Sequence, residues 1–370
     1  MKRTPLFEGH TASKAKLVDF SGWEMPIQYS GVVDEYQTVR ARAGLFDVSH
    51  MGRIAVAGEG ALPFLQRLTT SNVAKLRVHE SHYSMVCNQR GGIKDDIFVY
   101  RVKPQEFLLC VNASNREKIV AWLQEQVSDA TGAEIRDRSA ELAQLALQGP
   151  ASRSILETLG VPGLAALKPR QCLEVKLLGA DALVTRTGYT GELGYELYVP
   201  ANGALRIWNE LLTNGKAARL KPVGLGARDL LRLEMAYLLY GNDISEDTTP
   251  LEASTEWVVD FQKGEFIGRD ALQQQKGGGV ARRLAAFELL EKAVPRHGFK
   301  ILPVSQSGGN PIGEVTSGNL SPILQKGIGL GYVTTAYSQI GTPLAIDIRG
   351  RAIPADVVKP PFYKRPSVIA

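Results

Sequence analysis

"HYSMVCNQRGGIKDDIFVYRV", residues 82–102, sets two apolar runs on either side of the turn-forming "NQRGG". A run, a glycine turn and a second run predict a β-hairpin. The second run, Ile97 to Val102, is rich in β-branched and aromatic residues and reads as a strand. Two acids, Asp95 and Asp96, open it. Aspartate is a poor strand former, and its charge is costly to bury without a partner. Successive strand side chains point to opposite faces, so the two carboxylates cannot share one role.

The same reading extends outward. Residues 32–43, "VVDEYQTVRARA", suit an amphipathic helix. "GRIAVAGEGALPFLQRLTT" reads as a strand, a turn and a helix from about Ala61 to Leu68. "EFLLCVNASNREKIVAWLQEQV" reads as a strand and then a helix, with Asn112 and Ser114 suited to capping N–H groups at the turn. "ELAQLALQGPASRSILETLG" repeats that strand–helix pattern, "DALVTRTGYTGELGYELYVP" reads as a hairpin, and "ANGALRIWNELLTNG" as a helix. The polar, glycine-rich "QQQKGGGVARR", residues 273–283, predicts a linker or long loop. Beyond it lie short strands with turn signals, the pattern of a small β-barrel or sandwich.

The chain of 370 residues is long enough for two or three domains, and its 44% hydrophobic and 22% charged residues suit a soluble globular protein. No apolar run is long enough to span a bilayer, and the N-terminus lacks the apolar core of a secretory signal, so neither a membrane-spanning helix nor a secretory signal is expected. Cys87, Cys110 and Cys172 are odd in number and widely spaced, which points to a reducing cytoplasm and buried thiols rather than a disulfide framework. The net charge of +5 suits an anionic partner, yet no basic block of five or more occurs, which argues against nucleic acid.

Most candidate motifs have a plain structural reading. "GLGARD", residues 224–229, lacks the last glycine of a dinucleotide fingerprint, and no phosphate-cradling P-loop is present. "HESH", residues 79–82, has no metal-ligand spacing, and His50 in "DVSHMG" reads as a structural histidine at a turn. "RTGYTGELGYEL", residues 186–197, is more informative. Gly188, Gly191 and Gly194 fit positive φ or close backbone approach. Glu196, inside a strand run, is either solvated on a polar face or holds a ligand. "GLGARDLLRLEMAYLLYGNDI" is expected to be helical from about Ala227, with Leu230, Leu231, Leu233, Met235 and Leu238 on its buried side. Arg228 at its start opposes the helix dipole, so a carboxylate of a ligand or of a neighbour such as Asp229 is expected to hold it.

Taken together, "TPLFEGH", "VDFSGWEMPIQY", "GLFDVSHMG", "YSMVCNQRGGIKDDIFVY", "VNASN", "LALQGP", "TRTGYTGELGYEL", "GLGARDLLRLE", "YGNDI", "GEVTSGNLSP" and "VKPPFY" resemble, in order along the chain, the glycine cleavage T-protein family of aminomethyltransferases. The resemblance implies an α+β, three-domain cloverleaf around a central folate channel, with two interleaved α+β domains and a C-terminal β-barrel. The implied divisions are 1–52 with 140–246, 53–139 with 247–276, and 280–370. It implies an enzyme that moves the methylene carbon of an aminomethyl group from the lipoyl arm of H-protein to tetrahydrofolate, a co-substrate, with no metal, flavin or nicotinamide. Asp96 is then the catalytic carboxylate and Asp95 structural. Glu196 and Arg228 hold the folate, and Tyr83, Met51, Val111, Asn112, Tyr189, Tyr237 and Trp257 line its channel. The C-terminal "PPFYKRPSVIA" departs from the family pattern, so Tyr363, Lys364 and Arg365 all stay open as a last folate contact. The competing expectation is a non-transferring folate-binding protein of iron–sulfur maintenance. The folate domain of a demethylating flavoenzyme would need a dinucleotide-binding domain, for which the sequence has no signal.

Overall fold

The computed structural model describes residues 1–127, 132–304 and 310–365. In chain order its helices are α1 (Phe7–Ala12), α2 (Val32–Ala41), α3 (Ala61–Leu68), α4 (Arg116–Gln126), α5 (Ser152–Thr158), α6 (Ala204–Asn214), α7 (Leu225–Glu234) and α8 (Arg269–Gly278). Its strands are β1 (Lys16–Phe20), β2 (Trp23–Gln28), β3 (Gly44–Asp47), β4 (Gly52–Ala57), β5 (Glu80–Cys87), β6 (Ile93–Lys103), β7 (Glu106–Val111), β8 (Glu134–Asp137), β9 (Leu142–Gln148), β10 (Cys172–Leu177), β11 (Ala180–Thr185), β12 (Gly194–Pro200), β13 (Lys221–Pro222), β14 (Arg282–Leu289), β15 (Lys300–Pro303), β16 (Gly313–Ser321), β17 (Lys326–Thr334), β18 (Pro343–Ile348) and β19 (Arg351–Val358). The chain is an α+β protein and divides into two compact units. The first is Met1–Ser84 with Asp96–Asp229; the second is Met85–Asp95 with the chain from Leu230 onward.

In the first unit a six-stranded sheet runs β10–β11–β12–β9–β3–β13, and a five-stranded sheet runs β5–β6–β7–β4–β8. Leu145, Leu147, Val184, Leu197 and Val199 cover one face of the six-stranded sheet and pack on Ile155, Leu156, Ile207, Trp208 and Leu211 of α5 and α6. The apolar stripe of α6 recurs at Ala204, Ile207, Trp208 and Leu211, the spacing that gives a helix one buried side. Strand alternation then sends Gln144, Thr185, Glu196 and Tyr198 to the other face. On that face Tyr198 packs against Tyr100, Leu108 and Cys110 of the five-stranded sheet.

The second unit ends in a closed barrel, β14–β17–β16–β15–β18–β19, filled by Phe287, Ile301, Val315, Val333, Leu344, Ile346, Ile353, Ala355 and Val357. Closure pairs every strand and leaves no open edge. The hairpin tip, residues 85–95, also belongs to this unit, where Ile93 N–H donates to Thr248 O at 2.9 Å and Tyr240 Oη donates to Ile93 O at 3.1 Å. A buried ion pair, Arg232 with Asp243 at 2.8 Å, organises its polar interior. Asp243 also accepts from Leu239 N–H at 2.9 Å and Thr316 Oγ1 at 2.6 Å, and Arg232 donates to Ser317 Oγ at 2.9 Å.

Three local expectations need correction. The strand carrying the two acids starts at Ile93, not Ile97, so Asp95 and Asp96 lie inside it; the anchored tip extends the pairing. The expected linker at 273–283 is largely α8, which runs to Gly278 and buries Leu272, leaving only residues 279–281 before β14. Glycine-rich composition misled there, because one buried leucine suffices to dock a short helix. Finally, α7 starts at Leu225 and stops at Glu234, leaving Met235 and Leu238 beyond its end. Its start is fixed by the buried Glu35, whose Oε2 accepts Gly224 N–H at 2.8 Å. Its end is fixed by a left-handed residue, Ala236 (φ 54°), with Tyr237 N–H returning to Arg232 O at 3.0 Å, the Schellman arrangement.

Asp243→Asn keeps the shape of that side chain but removes the charge facing buried Arg232. We expect a loss of about 3–5 kcal/mol in chemical denaturation, the cost of breaking one side of a buried pair. Arg232→Met combined with Asp243→Leu should recover most of it.

Candidate functional site

Alternation along β6 decides the positions of the two acids: Asp95 is fully buried and Asp96 is half-buried. Because β6 runs between β5 and β7, Asp96 is gripped from both neighbours. Tyr83 Oη, on β5, donates to its Oδ2 at 2.9 Å. Asn112, just past β7, donates from Nδ2 to Oδ1 at 2.7 Å and to the Asp96 carbonyl at 3.1 Å. Asn112 was expected to cap the following helix. Neither it nor Ser114 does so: the first turns there carry no side-chain cap.

Glu196 lies on the inner face of the six-stranded sheet in a polar cluster. Its Oε1 accepts from Gln144 Nε2 at 3.1 Å, and its Oε2 accepts a short bond from Thr187 Oγ1. Thr187 in turn meets Thr185 at 2.6 Å and Tyr100 Oη at 3.2 Å. Asp96, Phe98 and Tyr100 alternate onto one face of β6, so the strand that carries Asp96 also reaches the Glu196 cluster. The rings of Tyr83, Phe98 and Tyr100 pack in sequence along it, with centroids 5.8 and 6.0 Å apart.

The loop bearing Tyr189 is wound around one side chain. Gln148 donates to Thr187 O at 3.2 Å and accepts from Thr190 Oγ1 at 2.9 Å. A Cβ on Gly188 or Gly194 would lie 2.0 or 2.3 Å from atoms of that glutamine, which is why both positions need glycine. Arg40 pins the far side, pairing with buried Glu192 at 2.9 Å and donating to Thr190 O at 2.6 Å. The Arg228 guanidinium lies over the Tyr189 ring, 4.6 Å from its centroid, a cation–π contact.

The loop from β3 to β4, which carries His50 and Met51, is held by its backbone. Arg53 is buried and donates to the carbonyls of Ser49 (2.8 Å), Met51, Ser139 (2.5 Å) and Leu142 (2.8 Å). Asp47 accepts from Ser49 N–H at 2.8 Å, from Thr4 Oγ1 at 2.6 Å and from His10 at 2.8 Å. His50 is 2% exposed and packs edge-to-face on Phe20. Burial, then the positive charge of Arg228, lower its pKa from 6.5 to about 3. Met51 is half-buried. Val111 is fully buried.

Tyr237 and Trp257 belong to the second unit and are exposed, at 37% and 63%. Tyr363 is buried with its N–H on Glu234 O at 3.0 Å, while Lys364 and Arg365 are exposed. Residues 366–370 of the C-terminal segment lie outside the described residues. Gln144, Gln148, Thr187, Arg40 and Arg53 were missed by sequence reasoning. One signal was present: the two glutamines of "LAQLALQ" fall four apart, on one face of an otherwise apolar strand.

A GCVT N-terminal domain model matches residues 6–263, and a glycine cleavage T-protein C-terminal barrel domain model matches residues 282–364. Together with the α+β fold and its closing barrel, these define a transferase of the aminomethyltransferase class. An aminomethyltransferase of Halothermothrix orenii is 47% identical over 98% of this chain and 100% of its own length. One from Phocaeicola vulgatus is 45% identical over 98% of this chain and 100% of its own length. The crystal structure of glycine cleavage system aminomethyltransferase T from Bartonella henselae superposes with a TM-score of 0.92 at 36% identity, covering 98% of each chain. The chain belongs to the glycine cleavage T-protein family. Identity over nearly the whole length favours the transferase over the non-transferring folate-binding protein. Among the described residues no helix is long and apolar enough to cross a membrane.

His50 gives a pH test. Its folded pKa is lowered, so its contribution to stability is full above about pH 6.5 and declines as the pH falls toward 3, while the unfolded chain takes up a proton that the fold excludes. The slope is about 1.4 kcal/mol per pH unit. Between pH 6.5 and 5, His50→Gln should lose less stability than the unaltered protein, by up to about 2 kcal/mol in urea titrations. Identical slopes would mean that His50 takes up its proton as readily in the fold as in the unfolded chain.

Proposed function

We propose that this chain transfers the methylene carbon of the aminomethyl group on the lipoyl arm of H-protein to tetrahydrofolate. The carbon exchanges its bonds to the amine nitrogen and to sulfur for bonds to two folate nitrogens. The two folate N–H protons leave, one with ammonia and one on the dihydrolipoyl thiol. In this reading Asp96 orients and deprotonates the acceptor amine and steadies positive charge at the carbon. The observation that carries it is the grip on Asp96: Tyr83 and Asn112 are neutral donors, so they aim the half-buried carboxylate without cancelling its charge.

The other assignments follow the same chemistry. Glu196 suits the amino-pyrimidine edge of the pterin, since a carboxylate with both oxygens backed by donors can accept two parallel N–H bonds. Arg228 suits an anionic or carbonyl group, with Tyr189 beneath it as a platform. Met51, Val111, Tyr237 and Trp257 are assigned to the folate lining, with Tyr83, Asn112 and Tyr189. We also propose three lobes, 1–52 with 140–246, 53–139 with 247–276, and 280–370; the six-stranded sheet, the five-stranded sheet and the barrel support this division. The free thiols of Cys87, Cys110 and Cys172 support a reducing compartment, the cytoplasm.

Asp96→Asn should lower turnover by about 10²–10⁴, the range for one positioned acid–base group, with little change in folate affinity. Asp95→Asn should act on stability instead, by about 1–3 kcal/mol, because Asp95 is buried. The assay is methylenetetrahydrofolate formation from aminomethylated carrier; normal turnover in Asp96→Asn would refute the mechanism.

The net charge of +5 supports an acidic carrier surface as the docking partner. The carrier KM should then rise steadily as salt is increased past physiological strength, where screening acts over about 8 Å. A carrier KM unmoved by salt would count against steering by charge.

A further inference from the structure

Gln144 faces Tyr198 across the β9–β12 ladder, two residues from the Ala146–Glu196 pair, and is buried. Its Nε2 lies 3.1 Å from Glu196 Oε1 and 3.2 Å from Tyr198 Oη. The Cys110 sulfur lies 3.5 Å from its Nε2 and 3.6 Å from its Oε1, and Tyr198 Oη lies 3.4 Å from Tyr100 Oη. Burial, and after it nearby negative charge including that of Glu196, pushes the Cys110 thiol up to about 11 and both tyrosine hydroxyls well above their ordinary value. Cys110, Tyr100 and Tyr198 therefore keep their protons at working pH. A carboxylate only accepts, so the Gln144 amide turns its N–H₂ toward Glu196.

Each Glu196 oxygen thus has one donor behind it, Gln144 on one strand and Thr187 beyond the end of another, and keeps further lone-pair capacity on the opposite side. Two donors from separate segments set the plane of the carboxylate before any ligand arrives. We infer that Gln144 is a positioning residue: it fixes the plane of Glu196, with both oxygens as acceptors, for a heterocycle that presents a paired N–H edge. This rests on the reading of Glu196 as the folate-binding carboxylate.

Gln144→Glu tests it. A second carboxyl about 3 Å from the first makes the pair share a proton near neutral pH. While the pair holds that proton, the carboxyl at position 144 still donates to Glu196, so the tetrahydrofolate KM should stay within about threefold of the unaltered enzyme at pH 7 and rise about tenfold toward pH 9, where both carboxylates ionise and the donor is lost, with kcat at saturating folate within about threefold throughout. Gln144→Leu removes the donor without adding charge and should raise KM about three- to tenfold with no new pH dependence. If thermal melting shows Gln144→Glu to be unfolded, Gln144→Leu decides. Glu196→Gln separates the two levels. An unchanged folate KM in Glu196→Gln would overturn the reading of Glu196 itself. A raised KM there, with KM unaltered at both pH values in the folded Gln144 variants, would overturn the role of Gln144 alone.

Discussion

The hydrogen-bonded bridge from Tyr100 through Thr187 to Glu196 is the interaction on which the rest of the first unit depends. Tyr100 belongs to the five-stranded sheet, and Glu196 to the six-stranded sheet. Apolar packing of Leu108, Cys110 and Tyr198 brings those sheets together but is tolerant of small slips. The half-buried Glu196 carboxylate is less tolerant, because each misplaced donor costs an acceptor its partner. The polar bridge therefore sets the register in which the two inner faces meet, and with it the strand that delivers Asp96.

The paired acids show how one backbone rule divides labour. On β6 the side chains alternate, so Asp95 turns into the interior and Asp96 turns to the face shared by Phe98 and Tyr100. The flanking strands then aim Asp96, one through a tyrosine hydroxyl and the other through an asparagine amide. A carboxylate oriented in this way has lost its rotational freedom in advance, which is the form of preorganisation that group transfer needs.

Loops around the site are held by charged side chains that bind backbone rather than one another. Arg53 collects carbonyls from residues 49–51 and 139–142, and Glu35 collects N–H groups from residues 29–31 and from Gly224 at the start of α7. Buried backbone groups must find partners, and a guanidinium or carboxylate can satisfy several at once. Arg40 also binds backbone, at Thr190 O in the loop carrying Tyr189, and there it pairs with Glu192 as well. Rigid loops on sheet frames place His50, Met51 and Tyr189, and the pinned start of α7 places Arg228.

The sequence by itself determined the elements whose signals are local. The hairpin about "NQRGG", the helix from Ala61 to Leu68 and the barrel strands follow from periodicity and turn residues, which act over a few positions. It also separated Asp95 from Asp96, since alternation needs no tertiary contact. Tertiary structure decided the rest. The strand extends back to Ile93 because residues 240–248 anchor its tip, and "QQQKGG" became helix because Leu272 found a buried place. Asn112 has the side chain of a helix cap, yet no side-chain cap forms there, and its Nδ2 donates to Asp96 of the neighbouring strand β6, a contact that only the packed strands bring about. Gln144 and Gln148 were visible as polar breaks in an apolar strand, but their partners lie tens of residues away in sequence, and only the pairing of β9 with β12 in one sheet brings such distant groups within hydrogen-bonding distance.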